Sequence, residues 1–414
     1  MQKRIAMFSV HTCPLAFEEG KETGGMNVYV MELSRELSKK GYYIDIFTRS
    51  QSQTQPKIVV INPFLRVIHL KAGPEKSVPK KEVIDYLQEF TESFITFITK
   101  EQLQYDLFHA HYYLSGTVGQ KLKNVHFSTI PLIVTYHTLA LMKNLVARDE
   151  LEKEEKERID AELQLVKEAD SIIASSSSDK EYLQYLYNAP GEKIVVINPG
   201  VDTNLFKPIQ KQLAKAHIHA DKTHKIILFV GRIEPLKGID VLLYATKILL
   251  SKNPNLQVCL WIVGGDVTQK PRLWSKELQK LEKLQKTLNI TTVVKFVGQR
   301  SQHELPYYYN ASELVIMPSH YESFGMAALE AMACGTPVIT TNVSGIASLF
   351  DARHEKIITS VNNPLLLASQ MEFLLTNEEE HQKMSNQVLQ RVQDLQWNKV
   401  AKKVGLLYEK LLSF

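Results

Sequence analysis

Residues 4–47 read RIAMFSVHTCPLAFEEGKETGGMNVYVMELSRELSKKGYYIDIF, and their pattern decides the fold. Arg4 to Val10 is a short apolar run with the length of a buried strand. A loop containing Gly24-Gly25 follows, then a helix from about Asn27 to Lys40 whose Val30, Leu33 and Leu37 recur at helical spacing. Lys39-Lys40-Gly41 supplies a basic last turn and a glycine stop, and Tyr43 to Phe47 is the next strand. Strand, loop, helix and strand in that order form the unit of a parallel sheet covered by helices.

The order recurs halfway along the chain. Lys225 to Val230 reads as a strand, Gly231 to Gly238 as a loop and Asp240 to Leu250 as an amphipathic helix. Gln257 to Val263 is another strand, running into Gly264-Gly265-Asp266. Between the halves, Asn198-Pro199-Gly200-Val201-Asp202 follows the strand Lys193 to Ile197 and reads as the linker. The expected fold class is α/β, with two doubly wound sheets whose ligands meet the carboxyl ends of the strands. The charged segment from about Ala147 to Lys167 reads as a solvated surface helix with i,i+4 pairs.

Composition agrees with two large cores. The chain has 414 residues, 44 % hydrophobic and 23 % charged, which excludes a disordered chain. A net charge of +4, from 49 Lys plus Arg against 45 Asp plus Glu, is too slight to imply a nucleic-acid partner. Cys13, Cys259 and Cys334 are far apart, which excludes a disulfide framework and favours a reducing compartment. The run Ile5-Ala6-Met7-Phe8 is too short for the core of a signal peptide, and no stretch approaches the ~20 apolar residues of a membrane span. A soluble, cytoplasmic protein is expected.

Three segments carry chemistry. In residues 314–330, LVIMPSHYESFGMAALE, a strand ends at Pro318, a loop carries Glu322 and a helix is expected to begin near Ser323 to Gly325. Free amides of a first turn can hold an anion, and Gly325 permits close approach of a ligand. Glu322 and Glu330, the latter about two turns inside the helix, can grip hydroxyls, although one can equally complement the helix dipole and the other be solvated. The apolar neighbours of Glu330 tip it toward function, because a buried carboxylate needs partners. In residues 230–238, VGRIEPLKG, Arg232 and Lys237 offer a planar fork and a point charge, as a diphosphate requires, though surface cations are usually only solvated. Glu22-Thr23-Gly24-Gly25-Met26-Asn27 is a glycine-rich helix opening, and the lack of a GxGxxG counts against a nicotinamide dehydrogenase. His109-x-His111 is poor evidence for zinc, and no two aspartates lie two residues apart to hold a metal on a diphosphate.

Together, Glu322-x7-Glu330, Arg232, Lys237 and the double glycine resemble the retaining GT-B glycosyltransferases of family 4. The resemblance includes Asn198 to Asp202 and Cys334-Gly335-Thr336-Pro337-Val338, and so spans almost the whole chain. Within the family, Phe8 to Thr12, Gly24 to Val30, His109 to Gly116 and His137 to Ala140 are similar to inositol-phosphate glycosyltransferases of mycothiol synthesis. Departures are Glu22-Thr23, where those enzymes show Asp-Ala, and Glu75 to Pro79.

The resemblance implies two Rossmann-like domains facing across a cleft: residues 1–200 for the acceptor and 201–391 for the nucleotide sugar, with a helix in 392–414 crossing back to the first. It implies a retaining hexosyltransferase moving glucose or GlcNAc from a UDP-sugar to a phosphorylated polyol or sugar such as inositol 3-phosphate. Gly25, Arg232, Lys237, Arg300, Glu322 and Glu330 would bind the donor, Ser323, Phe324, Gly325, Met326 and Ala327 would flank it, and His137 would face its sugar. His137, Arg232, Lys237 and Glu322 would be the catalytic set. His11, Asn27, Lys80, Tyr112, Thr138 and Arg158 would bind the acceptor, with Lys80 and Arg158 on its phosphate. No cofactor and no divalent metal are implied beyond the UDP-sugar co-substrate, and a homodimer is compatible. Sucrose-phosphate-synthase-like transfer to a hexose phosphate and a GT-B sugar-nucleotide epimerase remain alternatives, as does a sensor that binds the donor without turnover.

Overall fold

A computed structural model of the chain describes residues 2–16, 24–343, 345–350 and 357–413; Glu22-Thr23 lies outside them. The chain forms two compact units, one of Met1–Pro199 with Trp397–Phe414 and one of Gly200–Gln396. The strands of unit 1 are β1 (Arg4–Phe8), β2 (Tyr43–Arg49), β3 (Ile58–Asn62), β4 (Leu65–Leu70), β5 (Leu107–His111), β6 (Leu132–Thr135), β7 (Ser171–Ala174) and β8 (Ile194–Val196). Its helices are α1 (Gly25–Lys39), α2 (Leu87–Lys100), α3 (Tyr113–Val125), α4 (Ala140–Val146), α5 (Lys156–Glu168) and α6 (Ser177–Tyr187). Trp397–Leu412 is a further helix of unit 1.

The sheet order is β3-β4-β2-β1-β5-β6-β7-β8, parallel except for β3 against β4. β1 pairs with β2 on one side (Ile5↔Ile44) and with β5 on the other (Ile5↔Leu107), so the strand order reverses beside it. Strands buried on both faces are continuously apolar, which is why the run at Arg4 carries no alternation. Under the sheet, Phe94 of α2 packs at 4.8 Å from Phe47 and 5.2 Å from Phe8, ring centre to ring centre. The strand β1 stops at Phe8 rather than Val10, because the Val10 amide turns to donate to Ser115 Oγ at 3.0 Å.

Unit 2 repeats the plan with a sheet ordered β11-β10-β9-β12-β13-β14. These are β9 (Lys225–Val230), β10 (Val258–Val263), β11 (Val294–Gly298), β12 (Leu314–Met317), β13 (Val338–Thr341) and β14 (Ile358–Thr359). The helices are α7 (Lys211–His217), α8 (Ile239–Lys252), α9 (Lys276–Thr287), α10 (Leu305–Ala311), α11 (Met326–Ala333), α12 (Pro364–Thr376) and α13 (Glu378–Val392). Trp397–Leu412 closes the chain as α14. Here the reversal lies beside β9, flanked by β10 and β12. Among the described residues no helix is long and apolar enough to cross a membrane.

The expectation of a solvated helix over Ala147–Lys167 needs correction. One 3-10 turn, Glu150–Glu152, precedes α5, and α5 buries Arg158 (3 % exposed) and Glu162 (0 %). Helices α3 and α5 approach closely because Gly116 of α3 lacks a side chain: a Cβ there would stand 2.6 Å from a Leu165 methyl. An i,i+4 ion pair looks the same in sequence whether it faces water or the interior.

Phe94 is fully buried, so Phe94→Ala should cost about 3–5 kcal/mol of unfolding free energy in a denaturant titration. A loss below about 1 kcal/mol would show that the aromatic cluster is not the core of this sheet.

Candidate functional site

Two sets of side chains gather at the carboxyl ends of the central strands, one in each unit. In unit 2 the loop after β9 and the loop after β12 run side by side, tied by the His320 amide donating to Leu236 O at 2.9 Å. Gly238 makes this approach feasible: its φ is +64°, and a Cβ would stand 2.1 Å from Pro318 O. Lys237 and Glu322 thereby meet, Nζ to Oε2 at 2.5 Å. Arg232 on the same loop is 58 % exposed along its side chain and pairs with Glu234 at 2.7 Å. Arg300 follows β11, where the Gln299 amide donates to Gly265 O at 3.0 Å. The Arg300 Nε donates to the Tyr308 hydroxyl at 2.7 Å.

The helix expected to begin near Ser323 to Gly325 starts at Met326, directly after that range. Gly325, with φ +110°, is its N-cap, and Ser323 and Phe324 remain in the approach to it. That approach is fixed by the Gly345 amide on Glu322 O (3.2 Å) and the Ile346 amide on Phe324 O (2.9 Å). The half-buried Met326 and Ala327 therefore supply the first-turn amides of α11. Glu330 is the fifth residue of that helix, just over one turn in rather than two. It is 6 % exposed, and the Tyr309 hydroxyl donates to its Oε2 at 2.7 Å. Burial raises its carboxyl to about 7, against which the tyrosine's hydrogen bond acts only in part.

In unit 1 the corresponding ends are those of β1, β5 and β6. Tyr112, directly after β5, adopts φ 75° and ψ 159°, a region in which side chains are strained; His137, two residues after β6, has φ 63°. Such strain persists where surroundings over-determine it, and it clusters at functional sites. The Tyr112 ring is a hub. The His11 ring lies 4.6 Å away, Lys80 Nζ 5.1 Å and the Arg158 guanidinium 4.9 Å from its centre. Arg158 Nη2 donates to both the carbonyl and the hydroxyl of Thr138 at 3.1 Å. Asn27, in the first turn of α1, accepts from Thr12 at 2.8 Å, and Gly25 opens that helix as an exposed residue. His11, Lys80, Tyr112, Thr138 and Arg158 are thus brought into one cluster, with Asn27 beside its edge. The buried Nδ2 of Asn27 and hydroxyl of Tyr112 have no hydrogen-bond partner among the described residues.

The histidines divide. His109 is structural, bonded to the Tyr408 hydroxyl at 2.7 Å and to Thr135 at 2.9 Å. His137 Nε2 meets His111 Nδ1 at 3.0 Å. Burial lowers both His109 and His137 to about 3, so both are neutral near pH 7.

Sequence reasoning missed three members of the unit 1 cluster: Glu162, Glu154 and Lys143. Glu162 accepts from Arg158 Nε at 2.8 Å, the Tyr187 hydroxyl at 2.6 Å and the Ala140 amide at 2.9 Å. Glu154 Oε1 pairs with Arg158 Nη1 at 2.9 Å and also with Lys143 Nζ. Arg158-x3-Glu162 is the signal available in the sequence, and it has the form of a surface pair. Among the described residues no three His, Cys, Asp or Glu side chains gather as a metal site.

Two family models match the chain: Glycosyltransferase Family 4 over residues 23–205 and Glycosyl transferases group 1 over residues 210–391. D-inositol 3-phosphate glycosyltransferase of Corynebacterium jeikeium is 34 % identical over 411 residues, covering 99 % of this chain and 97 % of that protein. Among solved structures, sucrose-phosphate synthase from Thermosynechococcus elongatus superposes with TM-score 0.87 at 30 % identity, over 100 % of both chains. An Anabaena protein crystallised with UDP and glucose shares the fold at 17 % identity and TM-score 0.72, over 99 % of this chain and 100 % of that one.

The raised Glu330 carboxyl sets a pH dependence. Its proton is held more tightly in the folded state, so its contribution to stability falls as pH rises from the ordinary 4.5 to about 7 and is level above that. Relative to Glu330→Gln, the wild type should lose about 3 kcal/mol across that window in unfolding titrations at several pH values. A pH-independent difference would show that the folded protein holds Glu330 ionised.

Proposed function

As the chain belongs to the family 4 glycosyltransferases of GT-B fold, we propose that it transfers glucose or GlcNAc from a UDP-sugar to a hydroxyl of a phosphorylated polyol or hexose, with retention at the anomeric carbon. The observation that carries the acceptor half is the cationic cluster of Lys80 and Arg158 on the strained Tyr112. A dianionic phosphate needs such a planar fork and point charge. Both the D-inositol 3-phosphate glycosyltransferase and the sucrose-phosphate synthase carry a phosphate in their names, in keeping with a phosphorylated small molecule here.

On the donor side, Lys237, Arg232 and the amides that open α11 take the diphosphate, Glu330 the ribose hydroxyls and Glu322 the sugar. Arg300 completes the donor contacts within unit 2. In the step itself, the bond from the anomeric carbon to the β-phosphate oxygen breaks while that carbon bonds to the acceptor hydroxyl. The hydroxyl proton passes to the departing diphosphate. The side chains position both substrates and neutralise the leaving group, which is where most of the rate is gained. No divalent ion is assigned to the step, since arginine, lysine and helix amides supply the positive charge; chelation with EDTA should leave turnover unchanged.

A hexose phosphate is the second reading, favoured by the likeness to the sucrose-phosphate synthase over the full length of both chains. UDP release from UDP-glucose and UDP-GlcNAc, with inositol 3-phosphate or fructose 6-phosphate, separates the two. Release that depends on one acceptor names it; release that ignores every acceptor overturns the transferase reading in favour of hydrolysis or epimerisation. Arg158→Ala should raise the acceptor KM at least about tenfold and spare UDP affinity, as loss of a charged hydrogen bond to phosphate requires. Unchanged acceptor kinetics would remove Arg158 from the acceptor site.

A further inference from the structure

Two of the Arg158 nitrogens are committed, Nε to Glu162 and Nη2 to Thr138. Its buried Nη1 makes no hydrogen bond among the described residues but forms an ion pair with Glu154 Oε1 at 2.9 Å. Glu162 is enclosed and held by three donors, so it is a fixed counter-ion that orients the guanidinium. Glu154 differs. It precedes α5 in the loop after the 3-10 turn, and its side chain is 16 % exposed. The same carboxylate oxygen touches Lys143 Nζ of α4, and Lys80 is near enough to act on its charge. Its backbone is pinned by its amide donating to Asn144 Oδ1 at 2.7 Å. One carboxylate therefore sits among three cations, Arg158, Lys143 and Lys80, two of which the proposed function assigns to the acceptor's phosphate.

We infer that Glu154 occupies the place of the acceptor's phosphate and competes with it for Arg158, and that Lys143 is a third cation of that subsite; the inference rests on the phosphorylated-acceptor reading above. A carboxylate and a phosphate cannot share these donors without repulsion, because like charges a few ångströms apart are strongly unfavourable outside bulk water. Binding must therefore displace the Glu154 side chain. The carboxylate keeps the cations ordered and makes weak anions poor substitutes for a dianion, while its own departure offsets part of the attraction between the phosphate and the three cations. Glu162 and Glu154 touch the same guanidinium and act on it with opposite sign: one presents it, the other obstructs it.

The test uses inorganic phosphate as the probe, titrated calorimetrically into the full chain at constant ionic strength. Glu154→Gln should tighten phosphate binding about tenfold, the scale of removing one partly screened like charge at contact distance. Glu162→Gln and Lys143→Gln should each weaken it. In an Arg158→Gln background the gain from Glu154→Gln should vanish, since the two side chains act through one another. Equal or weaker phosphate binding by Glu154→Gln overturns the inference, as does a gain that survives without Arg158. Thermal melting of each variant keeps folding separate from binding, and Glu154→Ala gives a second removal of the charge should the glutamine hydrogen-bond in its place. UDP release with phosphorylated acceptors, run in parallel on the wild type, separates the two failures. Silence there overturns the function while the phosphate titration still decides the role of Glu154.

Discussion

In each sheet the chain builds outward from its first strand on one side and later returns to build on the other, and this reversal fixes where everything else can stand. Parallel strands joined by right-handed crossovers send the helices on the two sides of the reversal to opposite faces. The loops after β1 and β5 then come together at the carboxyl ends of their strands, and so do those after β9 and β12. His11 packs on Tyr112 at the first place, and Lys237 pairs with Glu322 at the second. Neither set is near in sequence. Register alone brings them together, as with Ile5 opposite Leu107 and Val315 opposite Leu228.

That constraint also explains where the backbone is unusual. Gly264 directly after β10, and Gly238 and Gly325 at the N-caps of α8 and α11, all have positive φ, and in each a Cβ would collide with a neighbouring loop or side chain. Tyr112 does the same without being glycine, which sets its ring against three other side chains instead of avoiding a clash. The strain belongs to the cluster of His11, Lys80 and Arg158 and is compensated by their packing.

The strands β1, β2, β9 and β10 were legible because burial on two faces leaves a continuous apolar run, and such a run needs no knowledge of its neighbours. Lys225 to Val230 reads off the sequence to the residue. The start of α11 was legible to within a few residues, and its N-cap Gly325 ends the expected range; Ser323 stays outside the helix because the backbone of Glu322 and Phe324 is engaged by Gly345 and Ile346. The cluster around Tyr112 was half legible. Arg158 was named through resemblance, while Glu162 and Glu154 were hidden in a charged segment whose pattern is the same for a surface and for a buried network, and Lys143 lies on the short helix α4 before it. Burial at Gly116 and Leu165 decides between the two, and that contact joins helices separated by about fifty residues.

A common electrostatic logic runs through both units. Lys237 meets Glu322, Arg232 meets Glu234, and Arg158 meets Glu154 and Glu162. A cation drawn from water is costly unless it is matched, and the cost grows with burial. The exposed Arg232 needs its partner least, and the enclosed Arg158 needs two. Because these three cations are matched by the chain itself, the proposed function makes affinity for a phosphorylated ligand a difference between two anions competing for one cation rather than the sum of the ligand's own hydrogen bonds. That difference discriminates: a dianion with three oxygens engages several of these donors at once, whereas a neutral polyol or a monocarboxylate engages too few to displace the glutamates. Selectivity for phosphate then comes from what occupies the cations as much as from the cations themselves.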